Sequence, residues 1–161
     1  MLYYNDDDML RQDRVLSEDK ALQLLRTAEY ATLSMIDADG MPYAVPISFA
    51  FDGNTSVYLH GAKTGKKLSC INYNNHVCCS IVGATSVQSE KFTSIFESIV
   101  LQAKAFVVTD EAERMQAMRL LLEKYSPQHI EKGIAFAANY MHETGVLRLD
   151  IVKMSGKSKP Q

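Results

Sequence analysis

The stretch DGMPYAVPISFAFDGNTSVYLHGAKTGKKL, residues 39–68, sets the architecture of the chain. Two runs rich in β-branched and aromatic residues, MPYAVPISFAF and SVYLHGA, are separated by the turn DGNT. The run ATLSMI and the turn DADG precede them, so the three runs predict an antiparallel meander. Pro42 and Pro46 constrain the middle run, because proline donates nothing to a ladder. That strand belongs at a sheet edge or at a bulge. A strand that gives up ladder donors also leaves backbone free beside a ligand.

LHGAKTGKKL, residues 59–68, has the look of a phosphate loop but fails the nucleotide pattern twice. Gly61 and Gly65 enclose three residues where that pattern has four, and Lys67 stands where it has Ser or Thr. A helix is expected to start here with Thr64 as N-cap, placing Gly65, Lys66 and Lys67 in its first turn. Cations at the positive end of a helix are disfavoured by about 0.3–1 kcal/mol each. A phosphate reverses that sign, accepting from free amide groups, the Thr64 hydroxyl and the lysine ammonium groups. The alternative is a solvated Lys-Lys pair on a turn.

Outward from this centre, Ser17 is placed to cap a helix through SEDKALQLLRTAEY, with Leu22, Leu25 and Ala28 at helical spacing. TGKKLSCINYNN reads as a short helix, HVCCSIVGA as a strand, and TSVQSEKFTS as a polar connection. IFESIVLQAKAFVVTD is a long β run, bent or folded back on itself. DEAERMQAMRLLLEKY is the best helix, capped by Asp110 or Thr109 and ended by Pro127, with Met115, Met118, Leu121, Leu122 and Tyr125 on one face. A second helix over 128–141 leads to GVLRLDIVKMSG, a strand whose Val146, Arg148 and Asp150 alternate with Leu147, Leu149 and Ile151. Residues 1–16 form a lead-in arm and KSKPQ, residues 157–161, a frayed tail. About six strands with a few helices predict a small, mainly β barrel in a single domain spanning 1–161.

Composition excludes several classes. The 161 residues are 47% hydrophobic and 22% charged, with a formal net charge of −2, which gives no push toward nucleic acid or anionic membrane. No apolar run is long enough to span a bilayer and no signal peptide opens the chain, so a cytoplasmic protein is expected. Cys70, Cys78 and Cys79 are read as buried thiols, since the count is odd and two are adjacent. The histidines lack metal-ligand spacing, and no metal site is expected.

Residues 39–82, from the Asp-Gly turn through Pro-Tyr-x-x-Pro, His-Gly-Ala, Gly-Lys-Lys and on to VCCSIV, resemble the core of the flavin-binding split-barrel proteins related to pyridoxamine phosphate oxidase. Within that group the chain is most similar to the 5-nitroimidazole resistance family, and FESIVLQAKAFVV and the LRLDIVKMSGK ending share the likeness. The resemblance implies a six-stranded antiparallel split β-barrel with covering helices, dimeric, with FMN or FAD at the subunit interface. It places Val45, Pro46, Ile47 and Ser48 along the flavin ring and ribityl chain. Gly61, Thr64, Gly65, Lys66 and Lys67 lie at the phosphate, and Ser98 also falls at the cofactor. His60 sits beside the flavin, either donating a proton during nitro reduction or only packing there. Arg148 reaches an anion or faces solvent. The chain has no tryptophan, which counts against a vitamin B6 phosphate substrate. Lys157 matches the ending without an assigned role.

The function implied is a flavin-dependent reductase of small nitroaromatic or similar electron acceptors, with NAD(P)H or a protein as donor. No Gly-x-Gly-x-x-Gly fingerprint is present, so a nicotinamide donor would bind transiently over the flavin. A non-catalytic flavin sensor or storage module is an alternative. Haem binding or degradation is another, with His60 as axial ligand.

Overall fold

The computed structural model describes residues 4, 5, 7 and 9–159. One sheet dominates it. In chain order the elements are α1 (Glu18–Thr27), β1 (Ala31–Ile36), β2 (Pro42–Ile47), β3 (Ala50–Phe51), β4 (Ser56–Ala62), α2 (Lys66–Tyr73), β5 (His76–Gln88), β6 (Thr93–Val107), α3 (Glu111–Tyr125), α4 (Ile130–Tyr140) and β7 (Thr144–Lys159). The antiparallel strand order is β2-β1-β5-β6-β7-β4-β3.

The sheet has seven strands, one more than expected, because the run at 41–51 is cut in two. Its first half pairs with β1 and its second half with β4. These halves lie at opposite edges of the sheet yet are joined only by Ser48 and Phe49. Three Cα steps reach at most about 11 Å, so the edges must curl toward each other and the sheet rolls into a split barrel. The two prolines fall on β2, which is an edge strand, and this is where a missing N–H is tolerated.

Alternation along the strands sends Leu33, Val57, Leu59, Cys79, Ile81, Ile99, Leu101, Leu147 and Leu149 into one core. Ala21, Leu24 and Leu25 of α1 and Cys70 and Ile71 of α2 join that core. In α1 the buried face thus centres on Ala21, Leu24 and Leu25, while Leu22 and Ala28 are only partly buried. Adjacent cysteines on a strand face opposite ways. Cys79 points inward, where burial pushes its thiol up to about 12, and Cys78 points outward, half-buried.

The seam at Phe49 carries its own support. Phe49 is fully buried, and its backbone N–H donates to the Tyr125 hydroxyl at 3.0 Å, which itself reaches the Phe49 and Glu29 carbonyl oxygens. A residue between two strands has no ladder partner, so one phenol satisfies the seam backbone. Tyr125→Phe is expected to lower stability by about 1–3 kcal/mol by leaving those groups unpaired, as chemical denaturation would show.

The outer face of β4 and β7 is covered by α3. Asp110 caps α3 by accepting from the Glu113 N–H at 2.8 Å, and the helix ends before Pro127 as expected. Its Ala117 packs against Tyr58, Val108 and Val146. Arg114 donates to the carbonyl oxygens of Met141 and Thr144, tying α3 to the junction between α4 and β7.

Two further expectations change. Residues 85–94 are not a bare connection: β5 and β6 continue as a hairpin paired out to Gln88 and Thr93, and β6 is one unbroken strand. The tail does not fray from 157, since Lys157, Ser158 and Lys159 pair with β6; residues 160 and 161 lie outside the described residues. Part of the lead-in arm also lies outside them, but Tyr4 and Val15 form bridges to Met154 and Lys157 of β7. Among the described residues no helix is long and apolar enough to cross a membrane.

Candidate functional site

The basic turn links the end of β4 to α2. The cap of α2 is Gly65, one residue later than expected, with φ 118° and ψ 174°. Only glycine adopts that backbone without strain, so Gly65 is what lets the strand enter the helix at this angle. Thr64 lies outside the helix, and no side chain caps it. The first turn of α2 contains no acidic residue.

The two lysines part company. Consecutive helical residues point about 100° apart. Lys66 turns to the β1–β2 hairpin, where its Nζ is 3.1 Å from Asp37 Oδ2 and 5.1 Å from the centre of the Tyr43 ring. Lys67 folds back over Gly61: a Cβ at residue 61 would lie 3.0 Å from the Lys67 Nζ. Gly61 therefore gives the ammonium room against the backbone. Lys67 is half-buried, has no carboxylate within ion-pair distance among the described residues, and burial lowers its pKa.

His60 is on the outer face of β4, across from Val146 and on the same side as Tyr58. Loss of water around the imidazole, and then the neighbouring Lys67 charge, hold its pKa below the ordinary 6.5. The ring is thus neutral at pH 7. The unfolded chain binds a proton at a higher pH than the fold does, so His60 contributes stability above 6.5 that is lost as pH falls through the folded pKa. The imidazole is expected to titrate below 6.5 by NMR and to move upward in Lys67→Ala.

Of the expected flavin strand, Val45 and Ile47 pack on the core, while Pro46 and Ser48 face outward and are exposed. The Tyr43–Lys66 contact places the start of this strand beside the basic turn. Of two further expected site residues, Arg148 shares the sheet face of His60, two positions along β7 from its partner Val146, and Ser98 lies elsewhere. Arg148 is held between Glu113 at 2.8 Å and Asp150 at 2.7 Å, over the Phe106 ring, and these carboxylates raise its pKa. Its charge is spent fastening α3 to the barrel. Ser98 pairs with Lys157, whereas His60 pairs with Val146, eleven residues away along β7, roughly 35 Å of strand. One chain does not bring Ser98 to the turn.

Asp37 and Tyr43 meet the basic turn through Lys66 although neither is an expected site residue. Asp37 carried a turn signal in the sequence, and nothing local pointed from it to Lys66. A separate groove of about 480 Å3 on the outer side of β1, β5 and β6, lined by Ser34, Ile36, Cys78, Gln102 and Val152 among others, contains none of the expected residues.

The family model described as pyridoxamine 5′-phosphate oxidase matches residues 17–158. The chain belongs to this family. Solved members of the same fold include a candidate 5-nitroimidazole antibiotic resistance protein from Bacteroides thetaiotaomicron, 19% identical, with a TM-score of 0.70 over 90% of this chain and 86% of that one. An FAD-binding protein from Mesorhizobium loti is 19% identical, with a TM-score of 0.66 over 92% of this chain and 97% of that one. An FAD and haem binding protein from Mycobacterium smegmatis is 22% identical, with a TM-score of 0.72 over 90% of this chain and 72% of that one. At these identities the superpositions show a shared fold alone. No curated protein sequence matches the chain.

Proposed function

We propose that this pyridoxamine 5′-phosphate oxidase family chain binds a flavin and acts as a reductase of small nitroaromatic or similar electron acceptors. The observation that carries this reading is Lys67: a half-buried ammonium with no carboxylate partner among the described residues, at a helix start with no acid, over a glycine that gives it room. Such a cluster is stabilised by an anion, and a flavin phosphate supplies one. The Gly61 cradle and the Gly65 backbone fit that group. Flavin-binding structures with the same fold support the choice among phosphate ligands.

Within this reading Lys67 and the amide groups of α2 hold the phosphate, and Pro46 and Ser48 face the ring system from an edge strand. Bound flavin supplies electron transfer, which no side chain of this chain provides. His60, neutral at pH 7, offers a hydrogen bond rather than a standing positive charge. An anion beside Lys67 offsets part of what depresses the imidazole and so brings it nearer to protonation.

The site is completed in a dimer. Ser98 contributes to a cofactor held by the basic turn only if it comes from a second copy, because of its distance along β7. The outer sheet face that carries Ser98 also exposes Val82, Val100 and Val152, an apolar surface suited to such pairing.

The test starts with the purified protein. Blue and near-ultraviolet flavin absorption is expected, with anaerobic bleaching by NADH or NADPH and reoxidation by a nitroaromatic, and a dimer is expected in sedimentation. A Soret band in place of flavin would favour haem. Flavin that neither donor reduces, with no nitro compound consumed, would leave a sensor or storage module.

A further inference from the structure

We propose that Asp37 sets how strongly the basic turn holds a phosphate dianion, by keeping Lys66 engaged and leaving Lys67 as the lysine that meets the anion. This rests on the flavin reading of the site.

Asp37 is fixed independently of Lys66. Its Oδ1 accepts from the N–H groups of Asp39 at 3.1 Å and Met41 at 2.9 Å, and its backbone closes the hairpin with Met41 and Gly40. The remaining oxygen, Oδ2, faces Lys66 Nζ at 3.1 Å, and the carboxylate side chain is only 16% exposed. Asp37 is therefore a stationary negative charge built into the turn after β1. Lys66 is the mobile partner, 55% exposed at its side chain and steadied by the Tyr43 ring. An incoming phosphate must compete with Asp37 for Lys66. Among the described residues it meets no such competitor at Lys67, whose Nζ lies over Gly61. Lys63 is exposed in the same turn and is common to every variant compared below.

The competition scales with ligand charge. A phosphate monoester is close to doubly charged above pH 7, since its second ionisation lies near 6. Each phosphate of a pyrophosphate diester carries a single charge, and riboflavin carries none. Removing the Asp37 charge should therefore help FMN most, FAD less and riboflavin not at all.

Asp37→Asn keeps the acceptor that the turn N–H groups use and removes the charge. Its FMN affinity is expected to rise by about two- to fivefold at low salt, the range of an exposed ion pair, with the gain fading toward 1 M salt. Riboflavin affinity should stay unchanged. The gain should shrink when Lys66→Ala is added, because release of Lys66 is its source. Unchanged or weaker FMN binding in Asp37→Asn, an equal gain for riboflavin, or a gain indifferent to Lys66→Ala would overturn the proposal. If neither FMN nor FAD binds the unaltered protein, the flavin reading falls on its own. The lysine ammonium resonances of that protein, titrated with inorganic phosphate, then decide the role of Asp37. The same measurement decides it if the Asn variant does not fold. Lys67 responding before Lys66 sustains the proposal, and Lys66 responding first or together with Lys67 overturns it.

Discussion

Lys67→Ala is expected to weaken flavin binding by roughly ten- to a hundredfold, the loss of one charge-assisted contact of about 1.5–3 kcal/mol. The effect should appear with FMN and FAD and be absent with riboflavin, which has no phosphate. Lys66→Ala should weaken binding much less, because the Lys66 ammonium already faces Asp37 at 3.1 Å. Lys67→Met is the control for packing: it keeps the half-buried stem over Gly61 and removes only the charge. Equal losses for Lys66 and Lys67, or a loss under threefold at Lys67 measured by flavin fluorescence quenching, would remove the anion cradle from the account.

The largest stability effect is expected at the barrel seam. Phe49→Ala should cost about 3–5 kcal/mol, the range for deleting a fully buried aromatic ring. For a chain of this size that is a melting-temperature drop of about 6–20 °C. Two features push the loss toward the upper end. Lys124 Nζ sits 3.6 Å from the centre of the Phe49 ring, buried and without a hydrogen-bond partner among the described residues, and burial brings its pKa down to about 8. Removing the ring leaves that ammonium facing a cavity. The same ring joins the β2 and β3 edges, so its loss loosens the closure that places the proposed flavin strand. Phe49→Leu should recover much of the stability. A melting temperature within 2 °C of the parent for Phe49→Ala would mean that the seam is not held by this side chain.

Much of the frame was legible in local signals. The prolines at 42 and 46 called for a sheet edge or a bulge, and β2 is an edge strand. Asp110, followed by acidic residues and ended by Pro127, marked α3 to within a residue. These signals work because caps, turns and proline act over a few residues. Thr64 was mistaken for the cap of α2 because capping preference favours its hydroxyl, whereas the strand-to-helix angle needs the positive φ that Gly65 supplies. The hairpin extension at 85–94 was hidden by polar composition, since neither face of an extension beyond the barrel need be apolar.

By itself the sequence determined most of the strand and helix runs, the Asp-Gly turns, the edge-or-bulge requirement of the proline strand and the cluster of lysines at a helix start. Each of these is fixed by backbone chemistry within one or two turns of chain. Only the tertiary structure decided that the run 41–51 is divided between two edges, that Asp37 faces Lys66, that Arg148 is spent on Glu113 and Asp150, and that Ser98 lies far from the turn. Those facts follow from how the sheet rolls and in what register its strands pair. Register and closure are set jointly by side chains far apart in the chain, so no local stretch encodes them.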